Sequence, residues 1–85
     1  MNHRLPETAA IRWQCRRGML ELDMMLLPFF DQHYVHLNSE KQQDFCDLLA
    51  FPDQELYQWL IGRLEPSSVR LQALLKDIRQ SAWKE

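Results

Sequence analysis

Apolar residues recur at the spacing of one helix face in segment after segment of this chain, and glycine or proline interrupts the pattern before any segment grows long. Leu71, Leu74, Leu75, Ile78 and Ala82 follow the 3.6-residue period, with Arg70, Lys76, Asp77 and Arg79 on the other sides. Leu56, Trp59 and Leu60 form a shorter stripe, bounded by Phe51-Pro52-Asp53 before it and by Gly62 and Pro66 after it. Phe45, Leu48 and Leu49 form another, preceded by Ser39-Glu40-Lys41-Gln42, a capping-box pattern in which the serine is the expected N-cap. Alternating strand patterns are missing, so the chain is read as all-α: a small bundle of five short helices in a single domain spanning residues 1–85.

The first two helices carry the more unusual punctuation. The first is expected to start near Thr8 as its cap, to bury Ile11 and Cys15, and to end at Gly18, with Arg16 and Arg17 complementing the negative end of its dipole. The second, Met19 to Phe30, is apolar on nearly every side except Glu21 and Asp23, as a central helix should be. Pro28 lacks an N–H and should kink or stop it, leaving Asp31 to Asn38 as a polar connection. Asp53 is the expected cap of the fourth helix, and Ser67 or Ser68 that of the fifth.

Size and charge narrow the function. A chain of 85 residues buries about two thirds of its unfolded surface, which leaves little room for a deep catalytic cavity. The net charge of −2 disfavours a general nucleic-acid binder. Charge is segregated, however: residues 1–18 hold four arginines against one glutamate, while residues 19–62 hold eight acids against one lysine. A basic patch should therefore abut an acidic body. The longest apolar run, Met24 to Phe30, is far too short to span a membrane, and the N-terminus lacks a signal-like apolar segment, so no membrane insertion and a cytoplasmic location are expected. Cys15 and Cys46 show no C-x-x-C spacing and read as buried reduced thiols. Asp31, His33 and His36 make an incomplete metal shell. Trp59 is read as core, Trp13 as an interface anchor and Trp83 as part of a frayed tail.

Arg12-Trp13-Gln14-Cys15-Arg16-Arg17-Gly18-Met19-Leu20-Glu21-Leu22-Asp23, followed by Pro28-Phe29-Phe30, resembles the signature of the bacterial flavinylation factors of succinate dehydrogenase. Its centre is Arg-Gly-x-x-Glu, here Arg17 to Glu21, and the similarity extends over roughly residues 9 to 80. The resemblance implies a five-helix, non-enzymatic assembly factor. Its partner would be the immature flavoprotein subunit of succinate dehydrogenase, and in some bacteria that of fumarate reductase, and it would promote covalent attachment of FAD to a histidine there. No catalytic residue and no stably bound cofactor of its own are implied, since the bond-making chemistry belongs to the flavin and the partner.

The partner-binding residues so implied are Trp13, Arg16, Arg17, Gly18, Glu21 and Asp23. Two readings of them stay open at this level. Gly18 can admit close approach of partner backbone while Arg17 and Glu21 orient the partner; in that case loss of either charged side chain should hardly alter melting. Alternatively Gly18 only terminates a helix, and Arg17 pairs with Glu21 on the surface. The competing function is a small regulatory or antitoxin-like protein that binds a toxin or a membrane-associated partner; an independent enzyme is the weakest reading.

Overall fold

A computed structural model describes residues 7–82, which fold into α1 (Thr8–Gln14), α2 (Leu20–His33), α3 (Ser39–Leu49), α4 (Asp53–Leu60) and α5 (Val69–Ala82). A single 3-10 turn, Tyr34–His36, extends the end of α2. The expected all-helical class and the five helices are thus observed, with no strand among the described residues. Trp83 lies outside them.

The central position of α2 follows from its composition. Leu22, Met25, Leu26, Phe29 and Phe30 are buried, and the helix packs on α5, on α4 and on the 3-10 turn, while α3 and α4 pack in turn on α5. Leu71, Leu74, Leu75 and Ile78 supply the facing side of α5. Ala82, expected at the end of that stripe, is exposed. At one end of the core, Phe29, Phe30, Tyr34 and Phe45 form an aromatic cluster with ring centroids 4.8 to 6.1 Å apart, the range in which tilted and offset rings attract. Trp59 is buried as expected, against the edge of Phe51 at 4.8 Å.

Pro28 does not stop α2. The helix continues to His33, and the Tyr34 N–H closes it on the Phe30 carbonyl. Proline inside a helix costs about 3 kcal/mol, through the missing N–H and a clash with the carbonyl four residues back. Here Pro28 and Met24 both lie on the exposed side, where water can serve that carbonyl, while buried residues on either side of the proline hold the helix to the core. Packing overrides the local signal, and residues 31–33 of the expected connection become helix.

Several caps sit one residue away from their expected positions. Asn38, not Ser39, caps α3: its Oδ1 accepts the Lys41 N–H at 2.8 Å. The Gln42 side chain does not complete a box but donates to the Tyr34 carbonyl, tying α3 to the 3-10 turn. Thr8 is the first residue of α1, after Glu7, and Asp53 is the first of α4, after Pro52; neither is the cap. Ser68 does cap α5, accepting the Leu71 N–H at 3.3 Å.

Gly62 ends α4 as its position suggests. It has φ +84°, its N–H bonds to the Trp59 carbonyl and the Arg63 N–H to that of Gln58, the paired bonds of a Schellman motif. The Arg79 guanidinium adds a further bond to the Trp59 carbonyl at 2.9 Å, so α5 helps to close α4.

The cap assignment is checked by urea denaturation. Asn38→Ala should lower stability by about 1 kcal/mol through loss of its side-chain bond to the first turn of α3, whereas Ser39→Ala should change it by less than about 0.5 kcal/mol.

Candidate functional site

The connection between α1 and α2 is built around Arg17. Helix α1 ends at Gln14, earlier than Gly18, in a tightened turn in which Cys15 and Arg16 donate to the carbonyls of Arg12 and Trp13. Gly18 therefore does not terminate the helix directly. It forms the corner of the connection at φ +82°, a conformation that costs other residues about 1–2 kcal/mol. A Cβ built there would meet nothing within 4 Å. Backbone conformation, not crowding inside the chain, is what requires glycine.

Arg17 turns inward from this corner. Its Nε donates to Asp53 Oδ1 at 2.7 Å, Nη1 to the carbonyls of Gln14 at 3.1 Å and Leu49 at 2.8 Å, and Nη2 to the carbonyl of Phe51 at 2.8 Å. Its backbone N–H donates to Asp23 Oδ1 at 2.8 Å. The side chain is only 15% exposed. An ion pair between Arg17 and Glu21 is not formed; the acid that Arg17 meets is Asp53, 36 positions along the chain. The expectation that removing Arg17 hardly alters melting is corrected too. A truncated side chain would leave carbonyls at the ends of α1 and α3 without their donor, at a cost of about 1–3 kcal/mol.

The other implied residues face outward or brace the corner. Trp13 is 72% exposed, with the Arg16 guanidinium 6.0 Å from its ring centroid, at the outer limit of a cation–π contact. Glu21 is exposed in the first turn of α2, where its charge suits the helix dipole. Asp23 is half-buried and holds the corner through the Arg17 N–H. Leu20 and Met24, one turn apart on α2, are also exposed. Reading α2 as apolar on nearly every side leaves Leu20 unmarked as a surface residue, while the adaptable methionines, Met24 among them, are candidates for a contact surface. Leu20, Met24 and Pro28 follow one another at intervals of four, which places all three on one side of the helix, the side on which a proline leaves a carbonyl in need of water.

The remaining candidates are otherwise engaged. Asp31 forms a two-pronged ion pair with Arg12, at 2.8 and 2.9 Å, and the hydrogen bond from Arg12 is the main cause that lowers its pKa. His33 meets Ser81 at 3.2 Å and lies tilted against the Phe29 ring, with centroids 5.0 Å apart. Cys15 is buried, and burial pushes its thiol up to about 12 despite the opposing fields of Arg12 and Arg17. Cys46 is only partly buried; burial raises its thiol as well. No helix of the described residues is long and apolar enough to cross a membrane.

Fold and corner together define a class: a small all-helical domain that ties a glycine corner to its body by hydrogen bonds and surrounds it with exposed aromatic, apolar and charged side chains. The family described as flavinator of succinate dehydrogenase matches residues 9–82, and the chain belongs to that family. Among its curated relatives, the FAD assembly factor SdhE of Haemophilus ducreyi is 41% identical over 71 residues, covering 84% of this chain and 87% of the relative. The protein of the same description from Coxiella burnetii is 41% identical over 70 residues, covering 82% and 85%. That of Vibrio cholerae is 39% identical over 72 residues, covering 85% and 84%.

The thiols give a test by differential labelling. Iodoacetamide at pH 8 should modify Cys46 well before Cys15, which should react only as fast as the chain unfolds, as read by peptide mass spectrometry. The same shift has a sign for stability. Cys15 keeps its proton in the fold up to about 12 but loses it near the ordinary thiol value once unfolded. Its contribution is therefore complete below about pH 8.5 and declines as pH rises towards 12.

Proposed function

We propose that this chain is a cytoplasmic FAD assembly factor: it binds the immature flavoprotein subunit of succinate dehydrogenase through the corner at Gly18 and promotes covalent attachment of FAD there. One observation carries the reading. The matched family and the relatives named FAD assembly factor coincide with a glycine corner whose outer face is left open by the fold. Partner backbone can approach Gly18 closely because no side chain stands in the way. Trp13, Leu20 and Met24 supply exposed apolar contact, and Arg16 and Glu21 supply charge around it, the mixture of anchor and polar rim that protein interfaces use. Arg17 and Asp23 contribute from behind, by holding the corner.

The chemistry asked of such a protein is orientation. The bond would form between a methyl carbon of the flavin and a histidine nitrogen of the partner, with a methyl C–H bond broken and its electron pair left in the flavin ring. The reacting groups thus belong to the cofactor and the partner, and the assembly factor need not bring a general base. Holding reacting groups in near-attack geometry can lower a barrier by about 7–11 kcal/mol in favourable cases, and a bound protein surface is a means of doing so. The fumarate reductase flavoprotein, with the same kind of bond to form, is a second partner in this reading.

Two measurements test it. In cells lacking this chain, Gly18→Arg should fail to restore covalent flavin fluorescence of the dehydrogenase subunit on a denaturing gel, although its circular dichroism stays helical. Gly18→Ala, which carries the same backbone strain without the bulk, should restore more. Full flavinylation with Gly18→Arg would refute docking at the corner. The purified chain should also carry no stoichiometric flavin: a flavin absorption band that persists through gel filtration would contradict a role confined to the partner's site.

A further inference from the structure

Arg17 lies at the heart of the motif in sequence, yet its side chain is directed into the protein. A guanidinium has five N–H donors, and the bonds to Asp53, Gln14, Leu49 and Phe51 occupy four of them. These acceptors lie at the last residue of α1, the last residue of α3, the turn that follows it and the first residue of α4. The backbone N–H of the same residue is held by Asp23 in the first turn of α2. One residue thus joins the adjoining ends of four helices, immediately beside the glycine that would otherwise be the most flexible point of the connection.

We propose that Arg17 is a positioning residue for docking: an internal strut that locks the corner against the α3–α4 turn, so that the neighbouring exposed residues meet the partner in one preformed arrangement. The proposal rests on the docking reading above and assigns to Asp53 a share in docking through Arg17. The physical advantage is pre-organisation, since a loop already ordered loses less freedom on binding. The planar fork is essential to it. A lysine ammonium is a single compact charge and cannot reach acceptors spread around the edges of a guanidinium. Direct contact between Arg17 and an acidic group of the partner would make the opposite demand, because a lysine could partly serve and Asp53 would compete with the partner for the charge.

The test uses the full chain with Arg17→Lys, Asp53→Asn and the double variant. Circular dichroism checks folding, and Asp53→Asn is the milder change because it keeps an oxygen acceptor. In the free protein, amide hydrogen exchange should quicken about tenfold or more at residues 15–23 and at Ala50, Phe51 and Asp53, the scale of one charge-assisted hydrogen bond, while Leu26 and Leu74 in the core stay protected. Affinity for the apo flavoprotein subunit should fall by a similar factor in each single variant, and the double should be no weaker than Arg17→Lys alone. The strut is refuted if exchange at the corner is unchanged in both single variants. It is equally refuted if Asp53→Asn binds as well as or better than the wild type while Arg17→Lys does not. Failure of the wild-type chain to form any complex would overturn the docking reading instead, and the exchange data, which need no partner, would still decide the strut.

Discussion

A planar cation with donors along two edges sits where α1, α3 and α4 come together, and the shape of the exposed corner depends on it. Carbonyls at helix ends lack intrahelical partners and must be satisfied by something other than the helix. Arg17 supplies that need for Gln14 and Leu49 while meeting the carboxylate of Asp53. Positive charge at the ends of α1 and α3 also opposes the negative ends of their dipoles. Geometry, dipole and hydrogen bonding therefore favour the same placement, and a short connection containing a left-handed glycine gains one defined conformation.

That arrangement suits a protein whose work is to hold a surface steady. Helix α2 is anchored by its buried face on α5, and its first turn carries both Asp23, which grips the corner from within, and Glu21, which remains outside. Core, corner and exposed residues are thus linked through a single helix. Flexibility at the corner would raise the entropic cost of every contact made around it. Rigidity is the property that connects the fold to the proposed function.

Much of this architecture was legible in the sequence, and the parts that were not share a cause. The stripes on α3, α4 and α5, the stop at Gly62 and the burial of Trp59 follow from periodicity and local backbone preference, which are written in neighbouring residues. Asn38 displaced Ser39 as a cap because adjacent residues of similar capping ability compete, and the chain's path into α3 decides between them. Pro28 remained inside a helix because tertiary burial outweighed a local penalty. The pairing of Arg17 with Asp53 spans 36 positions and has no local signature, so proximity suggested Glu21 instead. Gly18 was recognisable as a left-handed position; that its outer face is open to solvent depends on what the rest of the fold leaves uncovered.

The segregated charge has a different meaning in the fold from the one its distribution suggests. Of the arginines in the basic N-terminal stretch, Arg12 pairs with Asp31 and Arg17 with Asp53, both acids of the body that follows. Arg16, alone of the three at positions 12, 16 and 17, forms no ion pair among the described residues and lies beside Trp13. What reads in sequence as a basic patch next to an acidic one is therefore largely the means by which α1 and its corner are attached to the rest of the protein. The two attachments differ in character. Arg12–Asp31 is exposed on both sides, and salt will screen it, whereas Arg17 is mostly enclosed and bonds to carbonyls as well as to an acid. Ionic strength should loosen the outer link before the inner one, which leaves the corner at Gly18 in place while α1 itself gains freedom. The proposed interface centred on that corner would thereby be protected from changes in salt to which charge steering alone would be vulnerable.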